Sequence, residues 1–365
     1  MDLGPHHDQS LLMGRQENRV FFRMKDRITD FLHYCKNIDF GKVELSRPES
    51  AFYKRFNNEI FTFCRSLPES AQTDAMLFFM RYSKVNLGGK LDFFSNYYPP
   101  TWSILYWLTH NGTLGAKRLK ERDVASAITT QSMAMFLHSL DDHLTDHQLS
   151  VSPLTLLLRS QAWAIMNRAC CDLAEGVSAV ERSARGFIGE YYLSLQHLKE
   201  SKSLDSYCDL FRRQMAIGMI APTFLSLKMN GSSDFIKKIQ SAYNSFGIAW
   251  RLLDDIKDID SDIEKRSHSA IYVCLPKSVR THWDRSRPAA KQPTNAILKH
   301  VLEKNLIDKI KERICAQLYI AASIVEAHNM TGLAQEFRCL AHPLRNGGST
   351  LDENNGRPGV SLATR

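Results

Sequence analysis

The sequence predicts an all-α fold organised as a single large helical bundle. Along nearly every long segment, apolar residues recur at intervals of three and four, which places them on one face of a helix. No segment shows the alternation of a β-hairpin or the repeated strand–helix–strand order of an α/β sheet. The composition does not change abruptly at any point, so we expect one domain over 16–343 rather than two.

The N-terminal part of the chain begins with a polar stretch, 1–15, which has no periodicity and is predicted to be a disordered tail. Seven apolar residues at helical spacing predict a first helix over 18–38. The next two helices each begin with Pro followed by Glu, a combination favoured in a first helical turn. The stretch 86–100 contains two Gly, two Pro and four aromatic residues, and it predicts a connection.

The rest of the chain is also helical by its apolar spacing. The predicted helices cover 101–109, 117–146, 154–173, 179–199, 204–228, 233–264, 296–328 and 333–340. The polar stretch 283–294 contains two Pro residues and is predicted to be a loop or lid. The end of the chain, 344–365, is rich in Gly and polar residues, which predicts a second disordered tail.

The composition is that of a globular protein, with 44% of the 365 residues hydrophobic and 24% charged. No run of about 18 apolar residues occurs and the first residues lack an apolar signal core, so we expect a cytoplasmic protein that does not span a membrane. The net charge is +8, but Lys and Arg are dispersed, so no nucleic-acid binding is expected. The eight cysteines include no Cys-x-x-Cys pair, which indicates reduced thiols.

The segment 246–264, FGIAWRLLDDIKDIDSDIE, joins an apolar helix to a dense set of carboxylates. Asp254, Asp258 and Asp262 are spaced by four and therefore stack along one helix face, with Asp255 beside them. Like charges at this spacing repel by roughly 0.2–0.5 kcal/mol per pair, and a bound cation would relieve that repulsion. Because Mg²⁺ takes oxygen ligands and commonly links carboxylates to a phosphate, the segment predicts a Mg²⁺ site.

A second acidic cluster lies upstream in the sequence DDHLTD and contains Asp141, Asp142 and Asp146. If the two helices face each other, the clusters form one negative mouth that could hold several Mg²⁺ ions and, through them, a diphosphate. Metal-bound diphosphate is a good leaving group, so an allylic carbon attached to it could ionise to a carbocation. Phe136 and Trp250 lie about one turn deeper and are predicted to line the apolar cavity that such a cation needs.

With these two motifs the sequence resembles the class I isoprenoid synthases of the trans-prenyltransferase type, the polyprenyl synthase-like enzymes. Their second motif reads approximately F/L-G-x-x-F-Q-x-x-D-D-x-x-D, and this chain has FGIAWRLLDDIKD at 246–258, with Trp250-Arg251 in place of the aromatic-Gln pair. The first motif is most like the DDxxxD variant of the moenomycin-pathway prenyltransferase. The resemblance covers roughly 85–280. It implies a helical bundle of the class I terpenoid synthase type and a possible homodimer.

The basic residues of the family's elongation motifs are only partly present. Lys90 ends a Gly-Gly-Lys sequence, but the two arginines that follow in the family's element for isopentenyl diphosphate are missing, as is the Arg-Arg-Gly after the first motif. Arg213 is more like the arginine of terpene cyclases. Lys265 and Arg266 directly follow the acidic helix and could close over a diphosphate, or could simply offset the helix dipole. These four residues are the candidate diphosphate contacts.

The motifs leave three functions open. The leading expectation is a Mg²⁺-dependent class I terpene synthase that ionises an allylic prenyl diphosphate and cyclises or rearranges the cation. The alternative is a prenyltransferase that couples the allylic diphosphate to isopentenyl diphosphate or another acceptor, and the third is a non-catalytic subunit of a prenyl synthase. The candidate catalytic and metal-binding residues are Asp141, Asp142, Asp146, Asp254, Asp255 and Asp258. Because a hard cation prefers oxygen, His138, His143 and His147 are not expected as ligands.

Overall fold

The computed structural model describes residues 27–85, 89–110, 119–146, 148–175, 180–196, 201–285 and 291–346. These residues form helices joined by turns and loops, and no strand occurs among them, so the all-α prediction is confirmed. The predicted tail 1–15 and the part of the predicted C-terminal tail beyond 346 lie outside the described residues. Within the described ranges, no helix combines the length and the apolar character that crossing a bilayer requires.

The helices follow one another along the chain with short connections. The first half contains α1 (27–37), α2 (Arg47–Ser66), α3 (Glu69–Tyr82), α4 (Pro100–His110), α5 (Glu121–Thr145), α6 (Pro153–Ala174) and α7 (Val180–Gln196). The second half contains α8 (Leu204–Gln214), α9 (Ile220–Lys228), α10 (Ser233–Lys257), α11 (Ile259–Lys265), α12 (Ala270–Cys274), α13 (Lys277–Arg285), α14 (Lys291–Glu303), α15 (Leu306–Glu326) and α16 (Thr331–Asn346). Short 3₁₀ turns precede α4 (Phe93–Asn96) and α9 (Met215–Met219).

The start of α2 shows how local sequence specifies these helices. The Ser46 N–H donates to the Glu49 carboxylate at 2.8 Å, and the Glu49 N–H donates to Ser46 Oγ at 3.4 Å, which together form a capping box. Pro48 lies in the same first turn, where its missing N–H has no helical partner to lose. The predicted helix starts at both Pro-Glu sequences are therefore confirmed, since α3 begins at Glu69 directly after Pro68.

The segment predicted as one helix over 204–228 is broken into α8, a 3₁₀ turn and α9, so that prediction is wrong. Pro222 explains the break, because it has no N–H to donate to the carbonyl of Gly218 and its ring would clash with that carbonyl in a continuous helix. The broken segment also approaches α5 closely. A Cβ at Gly218 would lie 2.8 Å from Met135 Cε and 3.2 Å from Tyr243 Oη.

Two other long predicted helices are interrupted. The predicted helix 233–264 ends as α10 before a turn at Asp258, and α11 continues from Ile259. The predicted helix 296–328 is divided between α14 and α15 by Asn305, which has a φ of 48° and therefore lies in the left-handed region. In both cases the apolar spacing continues across the break, so periodicity did not reveal it.

The predicted loop or lid at 283–294 is also wrong in the parts that are described. Its beginning is the last turn of α13, where Trp283 is fully buried, and 291–294 begin α14, while 286–290 lie outside the described residues. The predicted C-terminal boundary between 343 and 344 falls inside α16, which continues past Pro343 to Asn346. The boundary was predicted from the Gly-rich and polar composition of the following residues, which does not mark where the helix ends.

The helices enclose one continuous apolar core that includes residues from α1 through α16. α5 packs against α6, α10 packs against α15, and α9 contacts both α5 and α10. A buried hydrogen bond of 2.9 Å from Gln131 Nε2 to Tyr243 Oη joins α5 to α10. Gln131 and Tyr243 each lie eleven residues before an aspartate of the acidic clusters, Asp142 and Asp254 respectively. The hydrogen bond thus joins the two helices at the same distance from their acidic clusters, which is consistent with both clusters lying at the same end of the bundle.

Candidate active site

The accessible aspartates form the same arrangement at the ends of α5 and α10. Asp142 and Asp146 are four residues apart at the end of α5, and the Asp146 N–H donates to the Asp142 carbonyl at 2.9 Å. Asp254 and Asp258 repeat this at the end of α10, with the same 2.9 Å hydrogen bond between their backbones. A helix C-terminus carries partial negative charge, so carboxylates are electrostatically unfavourable there. Both helix ends therefore favour a cation.

The two acidic pairs face each other. Asp254 is exposed to solvent, yet protein atoms surround its carboxyl group closely enough that burial raises its pKa to about 6. The positive charge of Arg251 opposes this shift, and the negative charges of Asp258, Asp255 and Asp142 add to it. The electrostatic interaction between Asp254 and Asp142 shows that the C-terminal end of α10 lies near the C-terminal end of α5. The predicted juxtaposition of the two clusters is therefore present.

The remaining aspartate of the first cluster, Asp141, faces a different side of α5. Its carboxylate is 5% exposed and accepts hydrogen bonds from Arg159 Nε at 2.6 Å, Arg159 Nη2 at 3.0 Å and Tyr191 Oη at 2.9 Å. Arg159 belongs to α6 and Tyr191 to α7, so the ion pair joins three helices. Both carboxylate oxygens are thus used within the protein, which distinguishes this residue from Asp142 although the sequence predicts both as ligands.

Asp255 of the second cluster is held in a similar way. It is 2% exposed, its Oδ2 accepts the Ala270 N–H at 2.8 Å, and Arg251 Nε lies 3.0 Å from its Oδ1. Arg251 Nε also donates to Tyr207 Oη at 2.8 Å. The contact with Ala270 fixes the start of α12 against α10. Each Asp-Asp pair therefore contains one accessible aspartate and one buried aspartate bound to an arginine and close to a tyrosine.

Asp262, the third aspartate of the four-residue series, lies on α11 beyond the turn at Asp258. Burial raises its pKa to about 8, and the charge of Asp255 contributes in the same direction. The Asp262 N–H donates to the Asp258 carbonyl at 2.8 Å, so the four-residue series continues across the turn, with the Asp262 carboxyl group more enclosed by protein atoms.

The predicted diphosphate contacts differ in their positions. Lys265 at the end of α11 lies near the first cluster: burial raises the pKa of Asp146 and lowers that of His143, and the charge of Lys265 opposes the first shift and adds to the second. Arg266 follows Lys265 in a left-handed conformation. Arg213 is exposed in the last turn of α8, and Lys90 is exposed in the connection before α4. Among the described residues, no hydrogen bond or ion pair joins either of these two side chains to the acidic clusters.

The histidines near the first cluster are enclosed rather than exposed as ligands. His138 lies one turn before Asp142 with its ring edge-on to Phe211, and burial lowers its pKa. Burial also lowers the pKa of His143, whose ring lies 5.1 Å from that of Tyr82. His147 lies outside the described residues. In the described ranges, no group of three or more His, Cys, Asp or Glu side chains is already gathered closely enough to hold a metal ion.

Aromatic residues form a floor beneath the acidic pairs. Trp250 on α10 is partly exposed, and its ring lies 5.6 Å from that of Tyr97 and 5.9 Å from that of Tyr98. The Tyr97 hydroxyl is hydrogen-bonded to Ser139 Oγ on α5, so the side chain spans the gap between the two acidic helices. Tyr97 was not predicted as a site residue, although the NYYPP sequence in the connection was a possible signal.

Phe136, the other predicted cavity residue, lies in an aromatic cluster away from this floor. Its side chain is fully buried, and its ring lies 5.1–5.8 Å from those of Phe63, Phe79 and Phe93. A surface cavity of about 530 Å³ lies on the outer side between α3 and the start of α6. Tyr82 lines this cavity and also contacts His143, but the cavity contains no aspartate of the two clusters.

No family model and no curated protein matches the sequence. Solved structures do match. They include a geranylgeranyl pyrophosphate synthase from Corynebacterium glutamicum, at 13% identity and a TM-score of 0.64, covering 88% of this chain and 99% of that one. A heptaprenyl diphosphate synthase from Staphylococcus aureus matches at 10% identity and a TM-score of 0.63, covering 82% of this chain and 99% of that one. An octaprenyl pyrophosphate synthase from Helicobacter pylori matches at 10% identity and a TM-score of 0.58, covering 81% and 99%. The chain therefore has the isoprenoid synthase fold of these polyprenyl synthases, as the sequence resemblance implied.

Proposed function

We propose that the protein is a Mg²⁺-dependent prenyltransferase that ionises an allylic prenyl diphosphate and transfers the prenyl group to a second substrate. The observation that carries this proposal is the pair of acidic helix ends, Asp142 with Asp146 and Asp254 with Asp258, facing each other across one cleft. The fold shared with prenyl diphosphate synthases supports the same conclusion.

The accessible carboxylates fit a hard divalent cation. They supply oxygen donors at two helix C-termini, and the raised pKa of Asp254 indicates an enclosed negative site that a cation would stabilise. Bound there, Mg²⁺ would neutralise the diphosphate and favour its departure. In crystal structures of the Corynebacterium glutamicum enzyme, isoprenyl diphosphate accompanies magnesium or calcium. Because Asp141 and Asp255 are occupied by arginines, we assign them to positioning the helix ends rather than to the metal.

The protein's own residues would hold and protect the reacting group. Lys265, whose charge interacts with Asp146, would contact a diphosphate oxygen. Beneath the diphosphate, the ring faces of Tyr97 and Trp250 would exclude water and stabilise positive charge on the allylic carbon. Departure of the diphosphate breaks the allylic C–O bond, and the cation then forms a bond with the acceptor, which loses a proton.

The comparisons favour transfer over cyclisation, which was the leading expectation from the sequence, because the matching structures named above are prenyl diphosphate synthases. Cyclisation of the cation is the second candidate. It is favoured by one feature of the sequence, the absence of the two arginines after Lys90 that the elongating family uses for isopentenyl diphosphate. The same absence would suit a prenyltransferase whose acceptor is not isopentenyl diphosphate.

Product analysis separates these functions. The purified protein is incubated with geranyl, farnesyl or geranylgeranyl diphosphate and Mg²⁺, with and without isopentenyl diphosphate, and the products are identified by mass spectrometry. A longer diphosphate that forms only when isopentenyl diphosphate is present is the result expected for elongation. Hydrocarbon from a single substrate would instead establish the cyclase.

Release of diphosphate is measured in the same reactions, with EDTA as the control. If no substrate releases diphosphate in the presence of Mg²⁺, elongation with isopentenyl diphosphate and cyclisation are both wrong. The protein would then be a non-catalytic subunit of a prenyl synthase or a prenyltransferase for an acceptor absent from the reaction.

A further inference from the structure

Arg251 occupies an unusual place for a positive charge. It lies on α10, one turn before Asp255, and its side chain is only 24% exposed. Its charge interacts with Asp255 on its own helix, and also with Asp142 and Asp254 of the facing acidic pairs. An arginine is therefore enclosed within the cleft where the two helix ends meet.

The hydrogen bonds of Arg251 use only one of its nitrogens. Nε donates to Tyr207 Oη at 2.8 Å and lies 3.0 Å from Asp255 Oδ1, and no other hydrogen bond of its guanidinium to a described residue is present. The guanidinium plane is thus anchored at Nε, while the two terminal Nη groups remain unassigned. Arginine presents its five N–H donors in a rigid fork that suits phosphate oxygens.

Arg159 provides an internal comparison, because it also binds the buried aspartate of an Asp-Asp pair. Both Nε and Nη2 of Arg159 donate to Asp141, so this fork is directed at its own carboxylate. The residue lies on α6, behind α5, and its side chain is 40% exposed. Arg159 therefore has the geometry expected of a structural ion pair. Arg251 forms a similar ion pair, but its two Nη groups make no hydrogen bond to a described residue, and its guanidinium carbon lies 5.7 Å from the centre of the Phe211 ring.

We propose that Arg251 is a diphosphate-binding residue whose Nη groups contact the leaving group between the two acidic pairs. The proposal rests on the proposed function and adds a residue that the sequence motif did not assign, since Trp250-Arg251 replaces an aromatic-Gln pair. Asp142 and Asp254 would hold the metal ions that neutralise the diphosphate, and Arg251 would add a positive charge supplied by the protein itself. A fixed cation there stabilises the charge that develops as the C–O bond breaks.

Binding of inorganic pyrophosphate tests this assignment without turnover. Isothermal titration calorimetry at fixed Mg²⁺ compares the wild type with Arg251→Gln and with Arg159→Gln, which removes the matched arginine from the other buried aspartate. We expect Arg251→Gln to weaken pyrophosphate binding by about 10–100-fold, the range for charge-assisted hydrogen bonds, and Arg159→Gln to change it by less than about threefold. Thermal unfolding confirms that each variant is folded at the temperature of the titration.

Arg251→Lys is the second variant, because it keeps the charge but loses the fork. Weaker pyrophosphate binding by this variant, with Arg159→Gln unaffected, also supports the assignment. The assignment of Arg251 is overturned if its variants bind pyrophosphate as tightly as the wild type. It is also overturned if Arg159→Gln weakens binding equally, because the effect would then come from a general loosening of the helix ends. Normal turnover of a prenyl diphosphate by the wild type together with such a result would leave the proposed function standing.

Discussion

At the scale of single residues, the adjacent aspartates of each acidic cluster have different environments. Successive residues on a helix point about 100° apart, so Asp141 faces α6 and α7 while Asp142 faces the cleft. Asp254 and Asp255 divide in the same way. The sequence contained a signal for this division, because within each Asp-Asp pair only the accessible residue, Asp142 or Asp254, has another aspartate four residues later. All six aspartates remain predictions as functional residues until they are substituted.

Substitutions of the neighbouring residues Asp254 and Asp255 are predicted to affect different properties, turnover for the first and stability for the second. Asp254→Asn is expected to lower turnover by at least about 100-fold, because it removes a proposed metal ligand, with little change in the free energy of unfolding. Asp255→Asn is expected to lower the free energy of unfolding by about 3–5 kcal/mol, since it removes the buried carboxylate charge that lies 3.0 Å from Arg251 Nε. Urea unfolding and steady-state kinetics measure the two effects. Near-normal turnover by Asp254→Asn at saturating Mg²⁺ would rule out its role as a ligand.

The affinity for Mg²⁺ is predicted to depend on pH through Asp254. Its pKa is raised to about 6, and a metal ion binds the ionised carboxylate, so binding at pH 6 should release protons and the affinity should fall as the pH is lowered below 6. Titration calorimetry in two buffers with different ionisation enthalpies measures the proton release. Asp254→Asn is the control and should release fewer protons. An affinity that is constant between pH 5 and 7 would contradict the prediction.

At the scale of elements, helix breaks and close approaches position the site. The turn at Asp258 separates α10 from α11, and Lys265 at the end of α11 comes near the first acidic cluster. The 3₁₀ turn between α8 and α9 lets Gly218 approach Met135 on α5. These features depend on one or two residues rather than on the apolar pattern of a whole helix.

Two glycines illustrate the difference between a close approach and an open surface. A Cβ at Gly41 would overlap the carbonyl oxygen of Cys339 on α16, whereas a Cβ at Gly186 on α7 would meet no atom within 4 Å. We expect Gly41→Ala to lower the free energy of unfolding by at least about 1–3 kcal/mol. Gly186→Ala should raise it by about 0.5–1 kcal/mol, because alanine favours the helix. Chemical denaturation measures the free energy of unfolding of both variants. Equal changes in the two variants would show that the backbone around Gly41 can move to accommodate a Cβ atom.

At the scale of the whole molecule, a buried carboxyl group joins the first and last parts of the chain. Glu336 on α16 is 3% exposed and accepts hydrogen bonds from Ser103 Oγ and, at 2.6 Å, from Trp107 Nε1 on α4. Burial raises its pKa to about 7 from an ordinary value of 4.5. The folded state therefore binds this proton more tightly than the unfolded chain does. A homodimer, which the resemblance implies, stays a prediction that light scattering would test.

The stability of the fold is predicted to decrease with rising pH through Glu336. Below pH 4.5 Glu336 is protonated in both the folded and the unfolded state, so the free energy of unfolding does not change with pH through this group. Between pH 4.5 and about 7 the folded state keeps the proton and the unfolded state loses it, so the free energy of unfolding falls as the pH rises. The loss should reach about 3 kcal/mol above pH 7. In urea unfolding, the stability difference between wild type and Glu336→Gln should therefore decrease by that amount from pH 5 to pH 8. A difference that does not change with pH would contradict the shift.

Much of the fold could be predicted from the sequence because helices are specified locally. Apolar residues at intervals of three and four and capping residues such as Ser46 and Glu49 act within one or two turns, so they indicated the helical class and most helices. The two acidic clusters were also evident, since four-residue spacing on one helix is a local property. Lone breaks, as at Asn305, were missed because a single left-handed residue does not alter the apolar pattern.

The composition of the cleft was decided only by the tertiary structure. The sequence by itself determined that α5 and α10 end in carboxylates, but the neighbouring helices decided which aspartate of each pair is buried. The same packing placed Phe136 in an aromatic cluster and brought Tyr97 from a connection to the floor of the cleft. It also enclosed Arg251 between the acidic ends. Contacts between residues distant in sequence depend on how whole helices pack, and periodicity along one helix does not contain that information.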